Sequence, residues 1–297
     1  MADAPRLKPQ TVTEILDSSF RLYRENFAQF LGILAILYIP GIILQLLLTG
    51  SMSGEILELT QKAHATPGKP DLEALQKLSA LQIGQAGLVL LITGITFPLA
   101  TGALTRAVGS RYLNEPATVG SCFSYIVGIF GKYFGTMMLN GLVIWLGFMF
   151  CLVPGILFAI WFSFSSSVVV LEGLGGTAAM GRSKQLSKDN AWRIIGLWLI
   201  ILAVNLALNW SVGAGLGVAL PTLVASPVQK LVVTQGVEQV VSMILSPLFC
   251  VAWILLYYDI RIRKEAFDLE VLARSMKGLP GPSLPPSGPP GPPSVPA

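Results

Sequence analysis

Tyr257-Tyr-Asp-Ile-Arg-Ile-Arg-Lys-Glu-Ala-Phe-Asp-Leu-Glu270 is the stretch where a long apolar segment stops and dense charge begins. It reads as the exit from a membrane. Tyr257 and Tyr258 are amphipathic rings suited to headgroup depth, and Arg261, Arg263 and Lys264 form a cationic cluster of the kind that accumulates on the cytoplasmic side. Working back from this exit, the chain divides into apolar runs punctuated by short charged segments. The fold class expected is therefore all-α: a polytopic transmembrane helical bundle of six spans, with interfacial amphipathic helices.

Composition agrees. Of the 297 residues, 53% are hydrophobic and 12% charged, with a mean hydropathy of +0.67; an average soluble domain carries about twice that charge. The net charge of +4 and pI near 9.0 would suit a nucleic-acid binder only if the basic residues gathered on one soluble face. They are scattered between apolar runs instead, so nucleic acid is not an expected partner. Cys122, Cys151 and Cys250 form no Cys-x-x-Cys pair and read as small buried hydrophobes. Met1 to Gln10 is polar and the first apolar run lacks a cleavage pattern, so that run is expected to remain as an anchor.

Taken in order, Thr11 and Glu14 have capping-box spacing, and Leu16, Phe20, Tyr23, Phe27 and Phe30 follow at helical steps. Residues 1–29 thus read as a cytoplasmic interfacial helix, its other face carrying Asp17, Arg21, Arg24 and Glu25. Within a transmembrane domain over 30–260, spans are expected at about 30–48, 84–104, 134–152, 155–171, 194–215 and 240–258. Each approaches the ~20 residues that cross a hydrocarbon core of about 30 Å. Pro40-Gly41 is expected to kink the first span. Gly50 to Gln82 reads as a polar loop with a breaker at Thr66–Pro70 and a short helix capped by Asp71, striped by Leu72, Leu75, Leu78 and Leu81. His64, the single histidine, falls in that loop.

Val119, Phe123, Ile126, Phe130 and Tyr133 predict a second interfacial helix, and Pro154-Gly155 divides an apolar run too long for one crossing. Ser19-x-x-Leu22-x-Arg24-Glu25-Asn26…Gly32 recurs 164 residues later as Ser183-x-x-Leu186-x-Lys188-Asp189-Asn190…Gly196. Both copies precede a span, which fits repeated helical hairpins each led by an interfacial helix. Residues 216–239 read either as an outer-surface helix or as a partly re-entrant loop. Residues 261–277 form a basic cytoplasmic extension, and 278–297, almost wholly Pro, Gly, Ser and Leu, a disordered tail.

Charge orients the chain. With both termini inside, only Lys62, Lys69, Lys77 and Lys230, four of the 20 basic residues, fall outside. The positive-inside rule therefore favours cytoplasmic ends, and the cytoplasmic membrane of a bacterium is the expected location.

No Asp, Glu, Lys or Arg lies centrally in any expected span, which argues against a charge-coupled pump. No catalytic residues, metal ligands or cofactor-binding residues are assigned: a nucleophile with an adjacent base is missing, and so are ligand clusters. What remains is a cytoplasmic-interface network of Glu172, Arg182, Ser183, Asp259, Arg261, Arg263 and Glu265. It would fix helix ends or bind an anionic lipid headgroup; the plainer reading is topology-setting charge with neutralising partners. Gln45, Asn140, Asn205 and Asn209 are the candidate polar contacts inside the membrane.

The closing run, with Tyr258, Asp259, Arg261, Arg263, Glu265, Asp268 and Leu269, resembles the end of an uncharacterised bacterial multi-pass family, the membrane domain fused to some glycerophosphodiester phosphodiesterases and its stand-alone relatives. Ala266 stands where that motif usually has glycine. Val170-Leu-Glu-Gly with Ala178, Ala179, Arg182, Ser183 and Leu186, and the Phe20–Phe27 segment Phe-Arg-Leu-Tyr-Arg-Glu-Asn-Phe, are similar to further family motifs. The resemblance implies no activity, because the phosphodiesterase catalytic domain is absent from this sequence. The function expected is that of a non-enzymatic integral membrane protein, an interaction or lipid-associated module whose partners are membrane lipids, anionic headgroups in particular. The alternative is a permease or lipid-handling transporter for an uncharged or amphiphilic small molecule.

Overall fold

A computed structural model of the chain describes residues 9–63, 71–223 and 226–267. His64, the Thr66–Pro70 breaker, the basic extension beyond Phe267 and the 278–297 tail lie outside the described residues. Within them the chain forms ten helices and no strand: α1 Val12–Glu25, α2 Phe27–Ala63, α3 Leu72–Tyr112, α4 Val119–Gly128, α5 Phe130–Phe150, α6 Leu152–Trp161, α7 Ser165–Glu172, α8 Gly176–Ser187, α9 Ala191–Leu223 and α10 Pro227–Glu265. Six stretches are long and apolar enough to cross a membrane, α6 and α7 together supplying one of them. Ile36, Ile43, Leu47, Leu90 and Leu91 are each more than half exposed. Apolar surface of that kind in water would be a large unpaid hydration cost, and in hydrocarbon it costs nothing.

The helices recur in one pattern. A short helix, a near-immediate break and a helical hairpin follow one another as α1 with α2–α3, α4 with α5–α6–α7, and α8 with α9–α10. The two copies noticed in the sequence end their short helices alike. Asn26 donates its side-chain amide to the Leu22 carbonyl and Asn190 donates to the Leu186 carbonyl; Asn26 and Asn190 then accept from Phe30 and Ile194, the first turn of the next span. Each asparagine closes one helix while its carbonyl opens the next. Thr11 caps α1 in the expected capping box with Glu14. The buried face of α1, however, is Ile15, Ser19 and Tyr23, whereas Phe20 and Phe27 from the predicted stripe point outward, as they would in an interfacial helix facing acyl chains.

Two expectations need correction. The described part of Gly50–Gln82 is helical and continuous with the spans, not a loop with a separate short helix, because α2 continues to Ala63 and α3 begins at Leu72. Glu58–Lys62 and Glu73–Lys77 pairs one turn apart support these polar extensions, and Asp71 caps α3 through the Glu73 and Ala74 amides. At about 1.5 Å per residue, helices of 37 and 41 residues far exceed a bilayer core. In the 216–239 stretch the described residues are helical on either side of a break: α9 runs to Leu223 and α10 starts at Pro227, where a first-turn proline lacks only an amide that would have no intrahelical partner. Pro40, Pro98 and Pro247 lie inside α2, α3 and α10, which continue past them.

The second correction concerns the fourth span. The turn before it is the single extended residue Cys151, so Pro154 sits in the first turn of α6 rather than dividing the helices. Gly147 and Gly155 permit the close return: a Cβ on Gly147 would lie 3.0 Å from the Gly155 Cα, and one on Gly155 would lie 2.4 Å from the Phe148 ring. The span itself, read from sequence as one uninterrupted helix over 155–171, breaks between Trp161 and Ser165.

By packing, the chain forms two compact units. The first takes the described residues up to Leu34, Pro98–Leu202 and those from Leu245; its core includes Phe30, Leu104, Ile126, Phe164, Val168, Leu186 and Tyr257, all buried. The second takes Ala35–Phe97 and Ala203–Ile244. In it Gly41 and Gly50 of α2 lie within 3.9 Å, Cβ to side chain, of Ile92 on α3 and Val232 on α10.

Candidate functional site

The charged residues singled out from the sequence converge in the first unit as two networks. In one, α7 ends on Glu172, α8 carries Arg182, and the last turns of α10 carry Arg261 and Glu265. Arg182 grips Glu172 with two hydrogen bonds of 2.8 and 3.2 Å and Glu265 with another of 2.8 Å. Arg261 donates to Glu265 at 3.1 Å, lies 3.8 Å from Glu172, and places its guanidinium 4.2 Å from the centre of the Phe267 ring. The Tyr257 hydroxyl donates to Glu172 at 2.5 Å. Two carboxylates meet two guanidiniums, so the charges balance.

Titration follows from this geometry. Burial alone would lower the Arg182 guanidinium, but the hydrogen bonds to Glu265 and Glu172 outweigh it and raise it above its ordinary value. Burial alone would raise the Glu265 carboxyl, and the hydrogen bonds from Arg182 and Arg261 outweigh it and hold it below the ordinary 4.5.

The second network is centred on Asp259, only 2% exposed. One carboxylate oxygen accepts from the Gln10 amide at 2.6 Å, and the other is ion-paired with Arg193 at 2.7 Å and accepts from Arg263 at 3.0 Å. Both arginines also donate to the Gln10 carbonyl, at 2.5 and 2.8 Å. Asp259 thereby ties the segment before α1, the start of α9 and the end of α10 together. Two guanidiniums face one carboxylate, and Arg263 is 36% exposed. Arg193 and Gln10 were not among the residues assigned from sequence; each is an ordinary flanking residue there, and nothing local marks its partner.

Ser183 belongs to neither network. It is buried on α8 and mends the broken span, donating to the Trp161 carbonyl at 2.8 Å and accepting from the Phe164 amide at 3.0 Å. The Trp253 indole donates to the Ser163 carbonyl at 3.3 Å. Backbone groups freed by the break are thus answered by side chains, as they must be where water is scarce.

The backbone at Ala266 shows why a glycine would suit this position. Ala266 follows α10 with φ of +51°, in the left-handed region that disfavours any residue with a Cβ by roughly 1–2 kcal/mol. Ala266→Gly is expected to raise the unfolding free energy by about 1 kcal/mol, measured by denaturant unfolding in detergent. An unchanged or lower stability would count against a strained helix end.

The candidate intramembrane polar residues divide between the two units. Asn140, in the first unit, reaches the Phe162 carbonyl at 3.4 Å, while Gln45, Asn205 and Asn209 belong to the second. Asn209 donates to the Asn205 carbonyl one turn back in its own helix. The second unit does hold a cavity of about 350 Å³, whose polar lining is Thr49, Ser53, Thr60, Gln82, Gln85 and Gln235. None of the asparagines lines it. Sequence reading missed these residues because they flank the apolar spans and read as loop polarity.

Among the described residues no group of three or more His, Cys, Asp and Glu could hold a metal ion. Residues 108–260 match a family model described as Domain of unknown function (DUF7847). The matched range takes in Glu172, Arg182, Ser183 and Asp259 and stops just before Arg261. The chain is also similar to a UPF0259 membrane protein of Yersinia pestis (strain Pestoides F), 27% identical over 209 residues, 67% of this chain and 80% of the relative. A UPF0259 membrane protein of Yersinia pseudotuberculosis (serotype O:1b, strain IP 31758) matches to the same extent. No solved structure matches the chain.

Proposed function

The chain belongs to the family described as Domain of unknown function (DUF7847), and we propose that it is a non-enzymatic integral protein of the bacterial inner membrane, a lipid-associated module with both termini in the cytoplasm. The observation that carries this reading is the imbalance around Asp259, where Arg193 and Arg263 face one carboxylate. The Glu172–Arg182–Glu265–Arg261 network is charge-balanced and serves to fasten helix ends. The spare positive charge at Arg263, at the expected headgroup depth, is placed to attract an anionic lipid. We infer as well a kinship with the membrane domain fused to glycerophosphodiester phosphodiesterases, supported by the way Asp259, Arg261, Arg263 and Glu265 of that motif all enter the two networks.

A basic group near an anionic surface contributes about 1 kcal/mol, roughly fivefold in affinity. Protein extracted from bilayers of phosphatidylethanolamine and phosphatidylglycerol is expected to retain phosphatidylglycerol in native mass spectrometry, and Arg263→Ala to retain about fivefold less. Equal retention in a variant of unchanged stability would remove the lipid role. The orientation is checked on the same protein by a periplasm-active reporter inserted at Gly68 and a cytosol-active one after Ala297; silence from either in a stably produced fusion would overturn it.

A second reading, handling of an uncharged or amphiphilic small molecule, draws on the cavity of the second unit, which is large enough for a ligand and has no charged residue in its lining among the described residues.

A further inference from the structure

We propose that the cavity of the second unit is a binding site for an uncharged, hydroxyl-bearing ligand, an assignment that rests on the second reading above and names its ligand class. Three helices build it: α2 supplies Thr49 and Ser53, α3 supplies Gln82 and Gln85, and α10 supplies Gln235, with Ile56, Leu57 and Leu231 as the apolar wall. A volume of about 350 Å³ falls within the range of small-molecule sites, roughly 300–1,000 Å³.

The lining selects the chemistry. Among the described residues it contains no Asp, Glu, Lys or Arg, and an ion placed there would lose its hydration without gaining a counter-charge, a far larger cost than burying a hydroxyl. The ligand is therefore neutral. Ser53 gives its proton to the Gly50 carbonyl at 2.9 Å, so its hydroxyl faces other groups as an acceptor. Gln85 donates to Thr49 at 3.3 Å, which orders that wall. Gln235 adds a shielded Oε1 with no hydrogen-bond partner among the described residues. A surplus of acceptors beside glutamine amides calls for a group that donates and also accepts, which is what a hydroxyl does.

Position adds the apolar half of the argument. Thr49 lies just past the 30–48 span, Gln82 just before 84–104 and Gln235 shortly before 240–258, so the polar wall sits where apolar spans give way to polar helix extensions. A neutral amphiphile would place its hydroxyls against the glutamines and its chain along Ile56, Leu57 and Leu231. A water-soluble polyol offers the same hydroxyls without the chain.

The test uses the full chain in nanodiscs and a monoacylglycerol carrying a photoreactive group on its acyl chain. Saturable labelling of peptides containing Ile56, Leu57 or Leu231, displaced by unlabelled monoacylglycerol and not by sorbitol, is the expected result. Displacement by sorbitol would also support the assignment and make the source a soluble polyol. Gln235→Met together with Gln85→Met, which keep side-chain length and remove hydrogen bonding, should weaken labelling about tenfold. Absence of saturable labelling in the unmodified chain would overturn the site, and equal displacement by phosphatidic acid would overturn its neutrality. Arg263→Ala should leave labelling unchanged, so failure here is separable from failure of the anionic-lipid role.

Discussion

Asp259→Ala is expected to cost about 3 kcal/mol or more of folded stability, because it removes the only carboxylate ion-paired with Arg193 and Arg263 among the described residues. Loss of one partner from a buried pair leaves the other charge desolvated and unpaired. Arg193, 22% exposed, takes most of that penalty, since Arg263 is more exposed and can turn to water or lipid phosphate. The Gln10 amide loses its acceptor in the same step, so the segment before α1 should also come loose. Thermal unfolding in detergent measures the first effect, and limited proteolysis at the N-terminus measures the second. Wild-type stability with wild-type protease resistance would show that Asp259 is a bystander among its neighbours. Asp259→Asn keeps an acceptor for Gln10 without the charge and should fall between.

Glu172→Ala is expected to be comparably severe, at about 3 kcal/mol. Glu172 is the acceptor for the Tyr257 hydroxyl and a partner of Arg182 and of Arg261, so one truncation leaves a phenol without its partner and a guanidinium half-satisfied. The pair can be separated from its parts by a cycle. Glu172→Leu with Arg182→Met replaces both charges by apolar groups of similar size, and should cost less than the two single changes together by about 1–3 kcal/mol. Additive losses would mean that the two side chains act independently, and the network would then be proximity without coupling. Glu265 remains as a second anion for Arg182, which is why Arg182→Met should be the milder single change.

These effects fall on residues that the sequence already brought forward, though their roles differ. Glu172, Arg182, Asp259, Arg261, Arg263 and Glu265 were legible because charge beside an apolar run is conspicuous. Ser183 was marked with them by the motif, yet it holds a broken helix and touches neither network. Asn205 and Asn209 stood out as polar residues in an apolar segment, and Asn209 answers its own helix. The glutamines of the cavity were passed over, because polar residues beside a span carry no local sign that three helices bring them together.

The amino-acid order alone determined that this chain is a helical membrane protein with six apolar crossings, led by short amphipathic helices that recur along it. Hydropathy and helical periodicity are properties of neighbouring residues, and burying an unpaired backbone in hydrocarbon is so costly that an apolar run of that length has few alternatives to a helix. Tertiary structure alone decided which polar groups meet: Gln10 and Asp259, 249 positions apart, or Arg182 and Glu265, 83 apart. It also decided where the fourth span breaks, since a break is tolerable only where Ser183 and Trp253 from other helices supply the missing hydrogen bonds.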